Sequence, residues 1–362
     1  MAHTLPHNIA TAMVELLCRL VEVPSFSLEE DATATLLYSF LQQQGIAVER
    51  IGNNVIARNK NFNATLPTLL LNSHHDTVKP NAGYTRNPFE AAIEDGKLYG
   101  LGSNDAGGPL VSLLGTFLHF YEESCLNFNL LFVASAEEEV SGANGIESLV
   151  SHLGKIDIAI VGEPTQMRMA VAERGLMVLD CVAKGKAGHA ANNEGVNAIY
   201  QAMKDIEWFR TYQFEKASEW LGPVKMSVTI INAGQAHNQI PAECKFVVDI
   251  RLNECYTHQE LLSVIRKHVS AEVKERSTRI KPSFIEAGHP MVLAAKEMGI
   301  QQFGSATTSD MALMPWKAVK IGPGDTNRSH SADEFIYVHE IEHGIETYIR
   351  LIHSYSQQIS KQ

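Results

Sequence analysis

Between residues 8 and 21 the apolar positions Ala12, Met13, Leu16, Leu17 and Leu20 fall on one helical face, and Pro24 ends the pattern. Ser27 and Glu30 have capping-box spacing, which predicts a second helix that Gly45 closes. Residues 47–51 and 55–58 flank Gly52-Asn53-Asn54 and predict a hairpin. Four short apolar runs with polar ends (68–72, 129–136, 156–161 and 318–321) have the pattern of buried strands. Helical patterns such as 109–121 lie between them. The alternation predicts an α/β fold with a mixed, largely parallel sheet sandwiched by helices.

The middle of the chain changes character. A strand at 175–183, a helix at 197–212, strands at 224–231 and 244–251, a helix at 258–273 and a strand at 279–284 follow in turn. The second helix rests on Leu261, Leu262, Ile265 and Val269 at helical spacing. The order β-α-β-β-α-β is that of a ferredoxin-like α+β unit. We therefore expect a discontinuous larger domain, residues 1–169 and 283–362, with residues 170–282 inserted as a smaller one.

Composition narrows the function classes. The 362 residues carry 30 Lys plus Arg against 41 Asp plus Glu, a net charge of −11. Such a chain has neither the basic footprint of a nucleic-acid binder nor a basic face for anionic lipid. No apolar run approaches the ~18 residues of a membrane span. Met1 to Asn8 contain no Lys or Arg, so no secretory signal is expected. Five scattered cysteines (Cys18, Cys125, Cys181, Cys244, Cys255) without a CxxC spacing predict free thiols and a cytoplasmic protein.

The 15 histidines matter where they meet acidic residues. Ser73-His74-His75-Asp76 follows the first apolar run, and Gly100-Leu101-Gly102-Ser103-Asn104-Asp105 opens a helix. Glu137-Glu138-Glu139 ends the second run, Gly162-Glu163-Pro164 the third, and Ser329-His330-Ser331 lies near the far end. In open α/β sheets the loops at the carboxyl ends of strands converge on ligands. His74, Asp105, Glu139, Glu163 and His330 can therefore meet. Two imidazoles and three carboxylates suit zinc, and also cobalt or manganese. Five ligands exceed a simple open zinc site and fit a pair of metals if one carboxylate bridges.

Singly these segments are ordinary turns and solvated acidic runs. Together, in this order, they resemble the M20 family of metallopeptidases and deacylases, which includes acetylornithine deacetylase and succinyl-diaminopimelate desuccinylase. The resemblance spans nearly the whole chain. It implies a zinc-peptidase-like catalytic domain with an inserted lid and dimerisation domain, and hence a homodimer. It implies that His74, Asp105 and Glu163 hold one zinc and that Asp105, Glu139 and His330 hold the other, with Asp105 bridging. Asp76 would accept the second ring N–H of His74, and Glu138 would be the general base. His189, in Gly185-Lys186-Ala187-Gly188-His189, would stabilise the oxyanion, in its own or a partner's active site. Asn238 and Arg251 would bind the substrate carboxylate; the plainer alternative for Arg251 is a structural pair with Asp249 or Glu243. His75 would be a neighbour of the site, His237 is unassigned, and Gly322-Pro323-Gly324 would shape the loop that delivers His330. Thr308, Ser309 and Asp310 lie where relatives build the substrate pocket. Ser73, Ala106 and Glu137 depart from the common pattern, but none is a ligand.

The function implied is hydrolysis of an N-acyl amino acid, foremost N-acetyl- or N-succinyl-L-ornithine or -citrulline, in arginine biosynthesis. A succinyl group would want an extra cation, with Lys97, Arg174, Lys184, Lys186 and Arg328 as candidates. Two other readings stay open: a dipeptidase or aminopeptidase of the same family, and a catalytically silent metal- or ligand-binding relative. A base retained beside every ligand argues against the silent one.

Overall fold

The apolar runs become neighbouring strands of one sheet. In the computed structural model, which describes residues 7–361 other than 125 and 193, Thr68–His74 lies parallel to both Asn129–Ser135 and Ile158–Val161. Ala318–Lys320 adds parallel to Ile158–Val161. The hairpin Val48–Ile51 and Asn54–Arg58 closes one side, antiparallel to Asn129–Ser135. Met169–Glu173 runs antiparallel beyond Ala318–Lys320. The fold is thus mixed α/β around a mostly parallel sheet, as expected.

Strands apolar on both faces need cover on both. On one face Leu70, Leu131, Val133, Ala159 and Val161 meet Ile146, Leu149 and Leu153 of the helix Ile146–Leu153. On the other lies Gly108–Phe120, almost wholly buried, which packs against His7–Val21 and the long helix Val338–Ile359. Each fully buried Leu or Phe contributes ~1.5–3 kcal/mol relative to exposure. This core holds the strand ends still.

By compactness the chain divides into two units, Met1–Val171 with Phe284–Phe303 and Ser309–Gln362, and Ala172–Ser283 with Gly304–Thr308. The second has a four-stranded antiparallel sheet in the order Lys225–Ala233, Glu243–Leu252, Gly175–Lys184, Glu272–Glu275. Met177, Leu179, Cys181 and Ala183 alternate inward on Gly175–Lys184. Ala198–Thr211 and His258–His268 cover that face with Ala202, Phe209, Leu261, Leu262 and Ile265.

Three expectations change. The helix from His258 ends at His268, because Val269 is already extended and packs against the core from there. The last strand is Glu272–Glu275, not 279–284; its half-exposed edge position leaves it little apolar signal. Ser27 and Glu30 form no capping box. Glu30 is buried and accepts the N–H of Leu28, while Ser27 turns to Asp76. Cys18, Cys181, Cys244 and Cys255 are free thiols. Cys125 and most of the Met1 to Asn8 stretch lie outside the described residues. No helix among the described residues is long and apolar enough to cross a membrane.

Candidate metal centre

Because three strands run parallel, their last residues come out at one edge of the sheet. His74 is the final residue of Thr68–His74. Glu138 and Glu139 open a short turn, Glu138–Val140, just past Asn129–Ser135. Glu163 follows Ile158–Val161 by two residues. Asp105 sits in the helical turn Ser103–Gly107, with non-helical backbone angles. His330, in the left-handed region at φ 56°, comes from the segment after Thr326–Arg328.

These side chains converge. His74 Nε2 lies 3.3 Å from Asp105 Oδ1 and 3.9 Å from both Glu138 Oε2 and Glu163 Oε1. His330 Nε2 lies 3.1 Å from both Glu139 oxygens and 3.6 Å from Asp105 Oδ2. Asp105 therefore turns one oxygen toward each histidine. Two sets, His74 with Glu138 and Glu163, and His74 with Asp105 and Glu139, have donor atoms within 4.8 Å of one another. Glu138 is as close to the cluster as the carboxylates read as ligands. Proximity alone does not single it out as a base.

The surroundings fix these groups. His74 Nδ1 donates to the Asp76 carbonyl oxygen at 3.0 Å, with the Asp76 carboxylate at 3.4 Å. That bond holds the proton on Nδ1 and leaves Nε2 as the donor to a metal. The nearer partner of the ring is thus the Asp76 backbone, not its carboxylate. The carboxylate instead accepts the N–H groups of Glu138 at 3.0 Å and Glu139 at 3.1 Å, and the Ser27 hydroxyl at 2.7 Å. It sets the turn that carries both glutamates. His75 is held by Thr33 Oγ1 and the Asn53 carbonyl, both at 2.9 Å, and stays a neighbour. A Cβ on Gly322 would fall 2.6 Å from the Glu163 carbonyl oxygen, so its loop packs directly on the Glu163 turn.

The electrostatics are those of an anion-rich pocket. Burial, with Asp105 and Glu139 near it, pushes Glu163 up to about 8 despite the pull of His74. Burial also raises Glu138 well above the carboxylate range, with Glu163, Asp310 and Glu139 adding to it. Hydrogen bonding to Glu139 lifts His330 to about 9. Burial works against charge on His74, yet Asp105 and Asp76 raise it well above an ordinary imidazole. Like charges crowded this closely out of water call for positive charge among them. Hard oxygens with two imidazoles suit divalent cations, so the residues present fit a metal pair.

Sequence reasoning named Asp310 without its partners and missed Glu334. Asp310, expected near the substrate pocket, is buried and accepts from Ser135 Oγ at 2.6 Å and Asn72 Nδ2 at 2.7 Å. Glu334 accepts backbone N–H groups of the Asp105 turn. Its only signal was an acidic pair close after His330.

The second unit carries the other candidates. His189 ends the short strand Gly188–His189, exposed, its Nδ1 accepting the Ala191 N–H at 3.1 Å. Asn238 is exposed, and its carbonyl accepts the Ala190 N–H. Arg251 makes a two-pronged pair with Asp249 at 2.8 and 3.1 Å, the plainer of its two expected roles.

Two imidazoles and several carboxylates gathered at the carboxyl ends of the parallel strands make an arrangement that could hold divalent ions. Residues 70–354 match the family model of Peptidase family M20/M25/M40, and the chain belongs to that family. It is 29% identical to acetylornithine deacetylase of Proteus mirabilis, with 94% of this chain and 96% of that protein covered. It is 28% identical to succinyl-diaminopimelate desuccinylase 2 of a Ruegeria species, over 71% and 69%. Among solved structures, aminopeptidase PepT of Bacillus cereus superposes with a TM-score of 0.78 at 17% identity, covering 96% of this chain and 98% of that one. The metallo-carboxypeptidase Sso-CP2 of Sulfolobus solfataricus gives 0.74 at 19%, over 95% and 99%. At those identities the two structures speak for the fold.

Proposed function

We propose that this protein hydrolyses the amide bond of an N-acyl amino acid, foremost N-acetyl-L-ornithine or N-acetyl-L-citrulline, releasing the free amino acid in arginine biosynthesis. The observation that carries the reading is Asp105, whose two oxygens face the two histidines inside one carboxylate cluster. His74, Asp105 and Glu163 would hold one divalent ion, and Asp105, Glu139 and His330 the other, with zinc the best match. Such ions supply Lewis-acid charge that polarises a carbonyl and makes a water more acidic.

The chain's own residues do the rest. Glu138 takes a proton from the water that attacks the amide carbon. It passes that proton to the nitrogen as the C–N bond breaks, so acid and amine leave balanced. Asp76 orients both partners of this step, His74 and the Glu138 backbone. His189 would donate to the oxyanion. A guanidinium has five N–H donors; with two on Asp249, Arg251 keeps others for a substrate carboxylate, and Asn238, which precedes the opposite end of the strand Glu243–Leu252, would contact the substrate separately.

Four of the five candidate cations for a succinyl group have partners in the chain. Lys184 pairs with Glu243, Arg328 with Glu340, and Arg174 donates to the Pro223 and Arg251 carbonyls. Lys97 lies over the Phe335 ring. A homodimer through the second unit is supported by its edge strand Lys225–Ala233, where Ile230 and Ile231 are exposed, and by exposed Tyr200 and Met203 on Ala198–Thr211.

The test is amine release from N-acetyl-L-ornithine, N-succinyl-L-ornithine, N-acetyl-L-citrulline and a dipeptide, each with and without a chelator. Chelator-sensitive release from an N-acetyl substrate is expected. Release from the dipeptide alone would replace the deacylase by a peptidase. Release from none, with metal bound, would overturn the proposed substrates.

A further inference from the structure

Glu334 is a carboxylate that neither the ligand set nor the base accounts for. It is 2% exposed. Its Oε2 accepts the Gly102 N–H at 3.1 Å, and its Oε1 accepts those of Asn104 and Asp105, both at 2.9 Å. Its own carbonyl accepts the Gly100 N–H at 2.9 Å. Every one of these donors belongs to the stretch that leads to Asp105. The first N–H groups of a turn lack partners within it, so an outside acceptor must supply them. Here a single side chain supplies three.

That side chain comes from the His330 segment. His330 is four residues upstream, and its carbonyl accepts Asn81 Nδ2 at 3.0 Å. Asp333, next to Glu334, accepts the N–H groups of Thr85 and Arg86 at 2.9 Å. Residues 330–334 are therefore fastened along their length, and one fastening runs directly into the backbone of Asp105. An amide or hydroxyl offers one acceptor oxygen; the carboxyl group offers two, and here both are used, one for Gly102 and one for Asn104 and Asp105.

We infer that Glu334 is a positioning residue. It holds the Asp105 turn and the His330 segment at one spacing, and so sets the affinity for the ion that Asp105, Glu139 and His330 share. The inference rests on the two-metal reading above. It differs from a purely structural role in acting on one ion more than on the other, because His74 and Glu163 reach the first ion from strands that Glu334 does not touch.

The experiment titrates metal-free wild type, Glu334→Gln and Glu334→Asp with Zn²⁺ against a chromophoric chelator, with circular dichroism and thermal unfolding recorded in chelator. Wild type is expected to take up two ions. Glu334→Gln is expected to bind the ion shared by Asp105, Glu139 and His330 ~10–100-fold more weakly, as partners behind metal ligands do, and to weaken the other, which loses support at Asp105 alone, by less. Glu334→Asp keeps both acceptor oxygens but draws them back by one methylene, and should fall between. A folded Gln variant that binds both ions like wild type, or weakens both equally, overturns the role. If the Gln variant does not fold, the Asp variant decides by the same criterion. Wild type taking up fewer than two ions would fail earlier, overturning the two-metal reading and this role with it.

Discussion

The side chains of His74 and Asp105 are 1% and 13% exposed, and backbone bonds through Asp76 and Glu334 set their positions. In the second unit His189 stands exposed at the end of a two-residue strand, and Arg251 is tied to its neighbour Asp249. The first unit presents a finished cluster, crowded and short of positive charge. The second presents exposed or half-exposed groups held only by near neighbours in sequence, His189 by Ala191 and Arg251 by Asp249. Buried polar groups must be paired, so their geometry is already determined in the chain alone. Exposed ones can wait for a ligand. The difference separates groups that would hold metal from groups that would meet substrate.

Four substitutions sharpen or break this contrast. Glu138→Gln should lower kcat by ~10²–10⁴-fold, the usual span for a lost general base, while metal content by elemental analysis stays the same. Lost metal in that variant would make Glu138 a ligand, as its distance to His74 allows. His189→Ala should lower kcat by ~10²–10³-fold, as for a missing oxyanion donor, with little change in KM. A change confined to KM would make it a binding residue. Arg251→Ala should raise KM by roughly 10-fold or more, since a hydrogen bond to a charged group contributes ~1.5–3 kcal/mol. Unchanged kinetics with a lowered Tm would leave it as the structural partner of Asp249. Ser27→Ala, which removes the hydroxyl on Asp76, should cost only about 1–3 kcal/mol of stability in denaturant unfolding.

The legible part of the molecule was its periodic part. Apolar runs found the strands of the main sheet because strands buried on both faces are apolar throughout. Of the ligand candidates, His74, Glu139 and Glu163 sit where those runs stop, whereas Asp105 lies in a helical turn and His330 in a loop segment, away from any such run. The missing pieces act through the backbone. Nothing in the spacing of Ser27 and Glu30 distinguishes a helix cap from side chains that turn inward to Asp76 and Leu28. Glu334 finds its partners 229 to 232 residues away, so only the fold reveals them. The strand Glu272–Glu275 carries a single apolar residue, Val273, and a helical reading ran straight over its start.

The most direct test of the central claim is metal reconstitution. Protein stripped with chelator would be titrated with Zn²⁺ while amine release from N-acetyl-L-ornithine is followed. The account requires the stripped protein to be inactive, activity to return as ions are added, and the return to level off at two ions per chain. Full turnover by metal-free protein, or recovery complete with ions bound while His74→Ala and His330→Ala titrate like wild type, would contradict it.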